Sequence, residues 1–170
     1  CMGNLRRIFE QVAAEKSPVV VVGLGISGTG VLELCHDLTL PVIAIEALSE
    51  EKYRPPKDVN FAALRACPQF SFYWECPASS EPPSFIMSPR KPRLAVVSPG
   101  ISFEAPLPRA LQAEGLQLCT ELELGLELLG LPSVVVTGSN GKSTTVCLIH
   151  HLLRSLGTSS VLCGNIGTPV

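Results

Sequence analysis

The 170 residues carry 13 basic and 15 acidic side chains, and the resulting net charge of −2 argues against a surface for nucleic acid or anionic membranes. Hydrophobic residues make up 46% of the composition, which is enough to bury a core and excludes wholesale disorder. No apolar run in the sequence reaches the roughly 18 residues that cross a bilayer, and the N-terminal stretch CMGNLRRIFEQ lacks the apolar centre of a signal peptide. We therefore expect about one domain, located in the cytoplasm.

The chain alternates β-branched runs with stretches of helical periodicity, which predicts parallel strands joined by helical crossovers in an α/β fold. Strands are predicted at 19–22, 42–45, 70–74, 94–97, 116–118, 134–136 and 160–162. Helices are predicted at 27–38, 106–114, 121–129 and 142–156.

Two stretches interrupt this alternation. Residues 55–92 hold eight of the fifteen prolines and six of the nine aromatic residues, which predicts an excursion across one face of the sheet instead of a solvated linker. Leu131-Pro132-Ser133 is the predicted boundary between a first domain, residues 1–131, and the start of a second, residues 132–170. Because the roughly 37 residues from Val134 onward are too few for a second core, we expect a fragment of a longer protein.

The seven cysteines are widely spaced and form no C-x-x-C pair, which disfavours a zinc site or a disulfide framework. Reduced thiols in a cytosol fit this pattern best. Cys35, Cys147 and Cys163 stand among aliphatic residues and are predicted to be small core hydrophobes.

A glycine-rich segment before the last helix predicts an ATP phosphate loop, Thr137-Gly138-Ser139-Asn140-Gly141-Lys142-Ser143-Thr144. Glycines let backbone N–H groups turn toward phosphate oxygens, and the helix N-terminus adds partial positive charge. Lys142 is predicted to reach the β- and γ-phosphates, and the Ser143 hydroxyl to bind Mg²⁺. The longer G-x-x-x-x-G-K-[ST] pattern needs glycine where this chain has Val136, so the shorter form indicates a particular subclass. The alternative is a tight turn with an exposed lysine.

A second glycine motif, Gly23-Leu24-Gly25-Ile26-Ser27-Gly28, follows the first strand and opens a helix. With Glu46 at the end of the next strand, it is typical of a dinucleotide site with an acidic ribose ligand. The alternatives are another diphosphate ligand, or glycines that serve only the close packing of strand and helix. The downstream phosphate loop disfavours a simple dehydrogenase, because a redox enzyme needs no ATP.

Taken together, five segments resemble the Mur ligases of peptidoglycan synthesis in order and spacing. They are VVVVGLGISG at 19–28, VVSPGIS at 96–102, TELELG at 120–125, VVVTGSNGKSTT at 134–145 and GNIGTP at 164–169. Within that family, the resemblance is to the ligases that add D-glutamate to UDP-N-acetylmuramoyl-L-alanine, and it covers about residues 18–170. It implies a Rossmann-like parallel-sheet domain that binds the UDP substrate, followed by the truncated start of a P-loop ATPase domain.

Carried over by position, the resemblance implies five residues that bind the UDP substrate. Ile26 and Ser27 would lie at the uracil and the diphosphate, and Glu46 near the uracil. Gly100 would approach the ligand with its backbone, and Asn165 would face the UDP-muramoyl substrate.

Two residues next to Glu46 depart from the family's pattern, and three residues elsewhere have structural explanations. Ala47 and Leu48 stand where some members of the family carry threonine and arginine. Glu121 and Glu123 belong to a motif of the family, and as acids in the first turn of a helix they are expected to complement its dipole, with a direct substrate role as the alternative. Trp74 is predicted to lie in the core.

The implied reaction is ATP-dependent amide formation through an acyl phosphate, with Lys142, loop amides and Mg²⁺ offsetting the charge of the transferred phosphoryl group. The family's acidic Mg²⁺ ligand, modified lysine, histidine and C-terminal domain would lie beyond Val170, so this chain alone is expected to be inactive. We expect a monomer that binds small molecules and neither nucleic acid nor membrane. Three alternatives stay open: an NAD(P)-binding oxidoreductase domain, a nucleotide-binding module without chemistry, and a sibling ligase for another amino acid.

Overall fold

A computed structural model describes residues 3–81 and 91–164. A sheet is formed by the strands β1 Val19–Val22, β2 Val42–Ile45, β3 Phe70–Tyr73, β4 Leu94–Val97 and β5 Gln117–Cys119. The helices are α1 Asn4–Glu15, α2 Ile26–Asp37, α3 Phe61–Arg65, α4 Pro106–Ala113, α5 Glu121–Leu129 and α6 Lys142–Ser155.

All neighbouring strands of this sheet are parallel, and their order is β3-β2-β1-β4-β5. This order confirms the predicted Rossmann-like α/β fold. The chain reverses its direction of travel across the sheet between β1 and β4. In sheets of this type, ligands bind at that switch point, outside the carboxyl ends of the strands.

The sheet is covered by helices on both faces, which explains why β1, β2 and β4 are buried along their whole length. Val19 and Val21 of β1 face a core shared with α1, α2 and α5. Val20 and Val22 face a second core with α4. The alternation of side chains along a strand thus divides one valine run between the two cores.

Helix α1 was not among the helices predicted from the sequence. Its Phe9 and Val12 are buried against the sheet. The Arg6 guanidinium donates to the carbonyl oxygens of Glu127 and Leu128 at 2.9 and 3.0 Å. These groups belong to the last turn of α5, whose carbonyls lack partners within the helix, so Arg6 satisfies two of them.

The described part of the proline- and aromatic-rich segment supplies α3 and the edge strand β3. It is not a linker, as predicted, but β3 extends the sheet at its edge instead of crossing one face. Tyr53 lies just before it, with ring centroids 5.0 Å from Phe61 and 5.4 Å from Trp74. Phe72 stacks on Trp74 at 5.8 Å. Trp74 is half-buried and packs against the core, so its predicted core position is confirmed only in part.

The C-terminal segment contains the predicted helix, as α6, but not the predicted strands. Residues 134–136 and 160–162 pair with no strand within the described chain, and Val134 and Val135 are 64% and 57% exposed. A β-branched run becomes a strand only where a neighbouring strand takes up its backbone groups. Helix α6 has no buried residue. The domain boundary at 131–133 stays a prediction.

The prediction of core cysteines is correct for Cys35 and wrong for Cys147 and Cys163, which are exposed. Burial raises the pKa of the Cys35 thiol to about 12. Burial, with the nearby charge of Glu123, also raises the pKa of Cys119 to about 12. Among the described residues, no cluster of His, Cys, Asp or Glu could hold a metal ion. No helix in residues 3–81 and 91–164 is long and apolar enough to cross a membrane.

Candidate nucleotide-binding site

The loop after β1 contains three glycines, and the structure gives a different reason for glycine at each position. Gly23 has a φ of +87°, and a Cβ atom there would lie 2.8 Å from Ser98 Oγ. A Cβ atom on Gly28 would overlap the carbonyl oxygen of Gly23. In contrast, Gly25 has a φ of −71°, and a Cβ atom there would meet nothing within 4 Å. Packing therefore explains Gly23 and Gly28, whereas Gly25 leaves space at the N-terminus of α2.

The backbone of Leu24, inside this loop, is held by two side chains from the neighbouring loop. Glu46 accepts the Leu24 N–H at 2.8 Å through Oε2 and the Leu48 N–H at 3.1 Å through Oε1. The Tyr53 hydroxyl donates to the Leu24 carbonyl oxygen at 2.6 Å. Burial, and secondarily the charge of Glu46, raise the pKa of Tyr53 to about 12, so the hydroxyl keeps its proton at neutral pH.

A cleft of about 910 Å³ opens between these two loops at the carboxyl edge of the sheet. Its lining includes Gly25, Ile26, Glu46, Leu48, Arg54 and Lys57. Ile26 and Leu48 are 62% and 47% exposed and supply aliphatic walls. No side chain caps α2, and its first turn holds no acidic residue. The cleft thus joins apolar surface, open backbone donors and two cations, features that suit a nucleotide, with the carboxylates of Glu33, Glu46 and Asp58 in the same lining.

The structure brings two of the five predicted UDP-binding residues into this cleft, Ile26 and Glu46. Ser27 lies beside Ile26 in the first turn of α2 and is half-buried, outside the cleft lining. Gly100 is exposed in the loop after β4, also outside the lining. Asn165 lies outside the described residues.

The residues around Gly100 belong to the VVSPGIS segment, and their structural role is to contact the glycine loop. Ser98 donates its N–H to Val22 at 2.9 Å and its hydroxyl to the Gly23 carbonyl oxygen at 3.0 Å. The Ile101 N–H donates to the Ser98 carbonyl oxygen at 2.9 Å and closes a turn. The loops after β1 and β4 are therefore joined across the switch point.

The predicted phosphate loop directly precedes α6, and its residues 137–141 are exposed. Gly138 and Gly141 have φ values of +143° and +77°, which favour glycine. The Lys142 ammonium donates to the carbonyl oxygens of Gly138 and Ser139 in its own loop. No side chain caps α6, and its first turn, which includes Ser143, holds no acidic residue. These features fit a phosphate group at the helix N-terminus, although the predicted preceding strand is absent.

The TELELG segment begins α5 with a reciprocal cap. The Glu123 N–H donates to Thr120 Oγ1 at 3.3 Å, and the Thr120 N–H donates to Glu123 Oε2 at 2.8 Å. This capping box satisfies two donors of the first turn. Glu123 therefore acts structurally, as its position in the first turn indicated.

Sequence analysis missed Tyr53, Arg54 and Lys57, which follow β2 in a loop without periodicity. Their only signal was proximity to the carboxyl end of a strand that neighbours the glycine loop. In a parallel sheet, the loops after adjacent strands meet at one edge, which is the relationship that places these residues at the cleft.

Comparison with known proteins identifies the relatives of the chain. No protein-family model matches it. It is 32% identical over 155 residues to the UDP-N-acetylmuramoylalanine–D-glutamate ligase of Chlamydia caviae, covering 89% of this chain and 32% of that relative. It is 29% identical over 150 residues to the ligase of the same name from a Geobacillus species, covering 88% of this chain and 31% of that relative.

A third ligase of that name, from Mycobacterium avium, is 45% identical over 84 residues, which cover 45% of this chain and 17% of the relative. The chain thus spans about a third or less of the length of these curated relatives. The resemblance seen in the sequence motifs is confirmed: the chain is homologous to a part of these D-glutamate ligases.

Proposed function

We propose that this chain is the UDP-substrate-binding part, with the start of the ATP-binding part, of a ligase that adds D-glutamate to UDP-N-acetylmuramoyl-L-alanine in peptidoglycan synthesis. The observation that carries the proposal is the cleft at the carboxyl edge of the sheet, in a chain that aligns over 89% of its length with a ligase of this name. The ligase would act in the cytoplasm, as a monomer, on small-molecule substrates.

The nucleotide end of the substrate fits the cleft beside the glycine loop. Ile26 and Leu48 offer apolar walls to the uracil, and the open first turn of α2, with Ser27, faces the diphosphate. Gly25 allows close approach of the ligand to the backbone. Both oxygens of Glu46 already accept backbone N–H groups, so its main role is to hold the glycine loop in place. Gly100 and Asn165 remain proposed contacts of the UDP substrate.

The loop Gly138–Thr144 fits the phosphates of ATP. Its two positive-φ glycines and the uncapped start of α6 provide backbone donors, and Lys142 provides the charge once it leaves its own loop carbonyls. Ser143, in the first turn, would hold Mg²⁺. When bound, ATP would supply the γ-phosphoryl group that activates the substrate carboxylate as an acyl phosphate, with ADP leaving, and the amine of D-glutamate would then displace phosphate to form the amide. Lys142 and the loop amides would offset the charge of that phosphoryl group.

The remaining catalytic groups are proposed to belong to the larger part of the ligase that this chain does not cover. They are the acidic Mg²⁺ ligand, the modified lysine, the histidine and the C-terminal domain that the family resemblance implies. We therefore expect the 170-residue chain alone to form no amide, and turnover by the purified chain would contradict this expectation.

Calorimetric titration of the chain with UDP-N-acetylmuramoyl-L-alanine tests the proposal, with NADH as the control ligand. We expect binding of the UDP-sugar and no binding of NADH. Binding of NADH alone would overturn the proposal in favour of an NAD(P)-binding domain. A Lys142→Ala variant should bind the UDP-sugar unchanged, because Lys142 belongs to the ATP loop.

A further inference from the structure

We propose that Arg54 and Lys57 form the cationic wall of the cleft and bind the diphosphate of the nucleotide sugar. The inference rests on the proposed function and adds recognition residues that lie outside the glycine loop. Both side chains line the cleft, and both come from the loop between β2 and α3.

Arg54 is positioned by its neighbour. The Tyr53 hydroxyl is fixed to Leu24 of the glycine loop at 2.6 Å, so the backbone next to Arg54 is attached to the opposite side of the cleft. Nη1 of Arg54 donates to the carbonyl oxygens of Glu51 and Tyr53 at 2.6 and 2.8 Å. Within the described chain, its Nε and Nη2 groups make no hydrogen bond and are available to a ligand. A guanidinium held at one nitrogen loses less side-chain entropy when it binds an anion.

The positive charges of Arg54 and Lys57 are not neutralised by direct contact. The ion pairs among residues 3–81 and 91–164 use other cations, namely Arg65, Lys91, Arg93 and Arg109, and the remaining contact of this kind joins the His36 ring to Asp37. Glu33, Glu46 and Asp58 also line the cleft. Glu46 is engaged by two backbone N–H groups, and neither Glu33 nor Asp58 lies within ion-pair distance of a cation in the described chain.

The chemistry of the cleft assigns these cations to a diphosphate. A helix N-terminus supplies about half a positive charge, which offsets only part of the charge of a diphosphate. The exposed aliphatic side chains of Ile26 and Leu48 suit an uncharged base, and leave the full charges of Arg54 and Lys57 for the phosphates. Arginine and lysine are the side chains that bind phosphate through charge-assisted hydrogen bonds.

The test compares the affinities of UDP and uridine, measured by calorimetry at low and high salt. The variants are Lys57→Gln and the double variant Arg54→Gln/Lys57→Gln in the 170-residue chain. Lys52→Gln is the matched control, because Lys52 is exposed in the same loop but does not line the cleft. Lys57 has no hydrogen bond in the described chain, so its replacement leaves folding intact, and urea unfolding checks each variant.

We expect UDP affinity to fall about threefold in Lys57→Gln and about tenfold in the double variant, with uridine affinity unchanged. Salt should weaken UDP binding to the unmodified chain more than to the double variant, because it screens the removed attraction. UDP binding that is equally tight in the double variant would overturn this inference and leave the proposed function standing. An equal loss for uridine would also overturn it. No UDP binding by the unmodified chain would overturn the proposed function and this inference together.

Discussion

Tyr53 and Leu24 are joined by a hydrogen bond of 2.6 Å that connects the loop after β2 to the glycine loop after β1. The same Leu24 donates its N–H to the Glu46 carboxylate at 2.8 Å. The geometry of the cleft therefore depends on two side chains that bind the backbone of one residue. The substitutions below separate the contribution of each contact.

Replacement of Tyr53 by phenylalanine should weaken the attachment of the two loops without disturbing the aromatic packing. The ring still contacts Phe61 and Trp74, but the buried Leu24 carbonyl loses its donor. We expect the free energy of unfolding to fall by about 1 kcal/mol, and UDP affinity to fall with it. Urea unfolding followed by the fluorescence of Trp74 measures the first effect. Unchanged stability and unchanged UDP affinity would show that the bond does not shape the cleft.

Replacement of Glu46 by glutamine should disturb the glycine loop, because an amide offers one acceptor oxygen to two backbone N–H groups. The group left without an acceptor is the N–H of Leu24 or Leu48. We expect a loss of stability of about 1–2 kcal/mol and weaker UDP binding. Glu51→Gln is the control, since Glu51 is exposed and lies outside the cleft lining. Equal behaviour of both variants in unfolding and calorimetry would contradict the prediction.

Alanine substitutions at two glycines should separate packing from ligand access. Gly28→Ala places a methyl group on the Gly23 carbonyl oxygen and should destabilise the fold by about 1–3 kcal/mol or more. Gly25→Ala meets open space at an ordinary φ, but Gly25 is the N-cap residue of α2, where alanine is disfavoured, so stability should change by less than about 1 kcal/mol. UDP affinity should nevertheless fall at least tenfold in Gly25→Ala. A Gly25→Ala variant that binds UDP normally would show that the ligand does not approach this backbone.

The buried thiols predict a loss of stability at alkaline pH. Cys35 and Cys119 have pKa values near 12 in the folded protein, against an ordinary value of 9.0. The unfolded chain therefore ionises first, and stability is full below about pH 9 and falls progressively between about pH 9 and 12. Urea unfolding at several pH values measures this slope, and a Cys35→Ala/Cys119→Ala variant should show a shallower one. Stability that rises over this range would contradict the prediction.

The same burial predicts selective thiol labelling. At pH 8, iodoacetamide should modify the exposed Cys147 and Cys163, whereas Cys35 and Cys119 should react only after unfolding. Peptide mass spectrometry identifies the modified positions. Labelling of Cys35 in the folded chain at the rate of Cys147 would contradict the observed burial.

Local sequence signals were sufficient to predict the strands and helices that pack against each other within the chain. The valine run of β1 and the aliphatic run of β4 predicted buried strands because both faces of the sheet are covered. The run at 134–136 has the same local preference, but no described strand lies beside it, so no strand forms. For α1, the sequence contains Leu5, Ile8, Phe9 and Val12 at helical spacing, and this signal was missed.

The sequence allowed prediction of the part of the candidate site formed by the glycine loop. It did not allow prediction of the part formed by the loop after β2. Gly23 and Gly28 are fixed by close contacts that the G-x-G-x-x-G pattern encodes. The positions of Tyr53 and Arg54 depend instead on closure of an irregular loop, for which sequence periodicity contains no information. Glu46 was found, but its role as an acceptor for Leu24 depends on the distance between two loops and could not be deduced from spacing.

The contact of α1 with the end of α5 brings the two ends of the sheet unit together. The Gly3 N–H donates to the Glu127 carboxylate at 2.9 Å, next to the carbonyl groups that Arg6 binds. These bonds join residues more than 120 positions apart, so neither helix can leave the sheet without breaking its contact with the other. We therefore expect α1 and α5 to open together, so their amide protons should exchange with solvent as one cooperative unit.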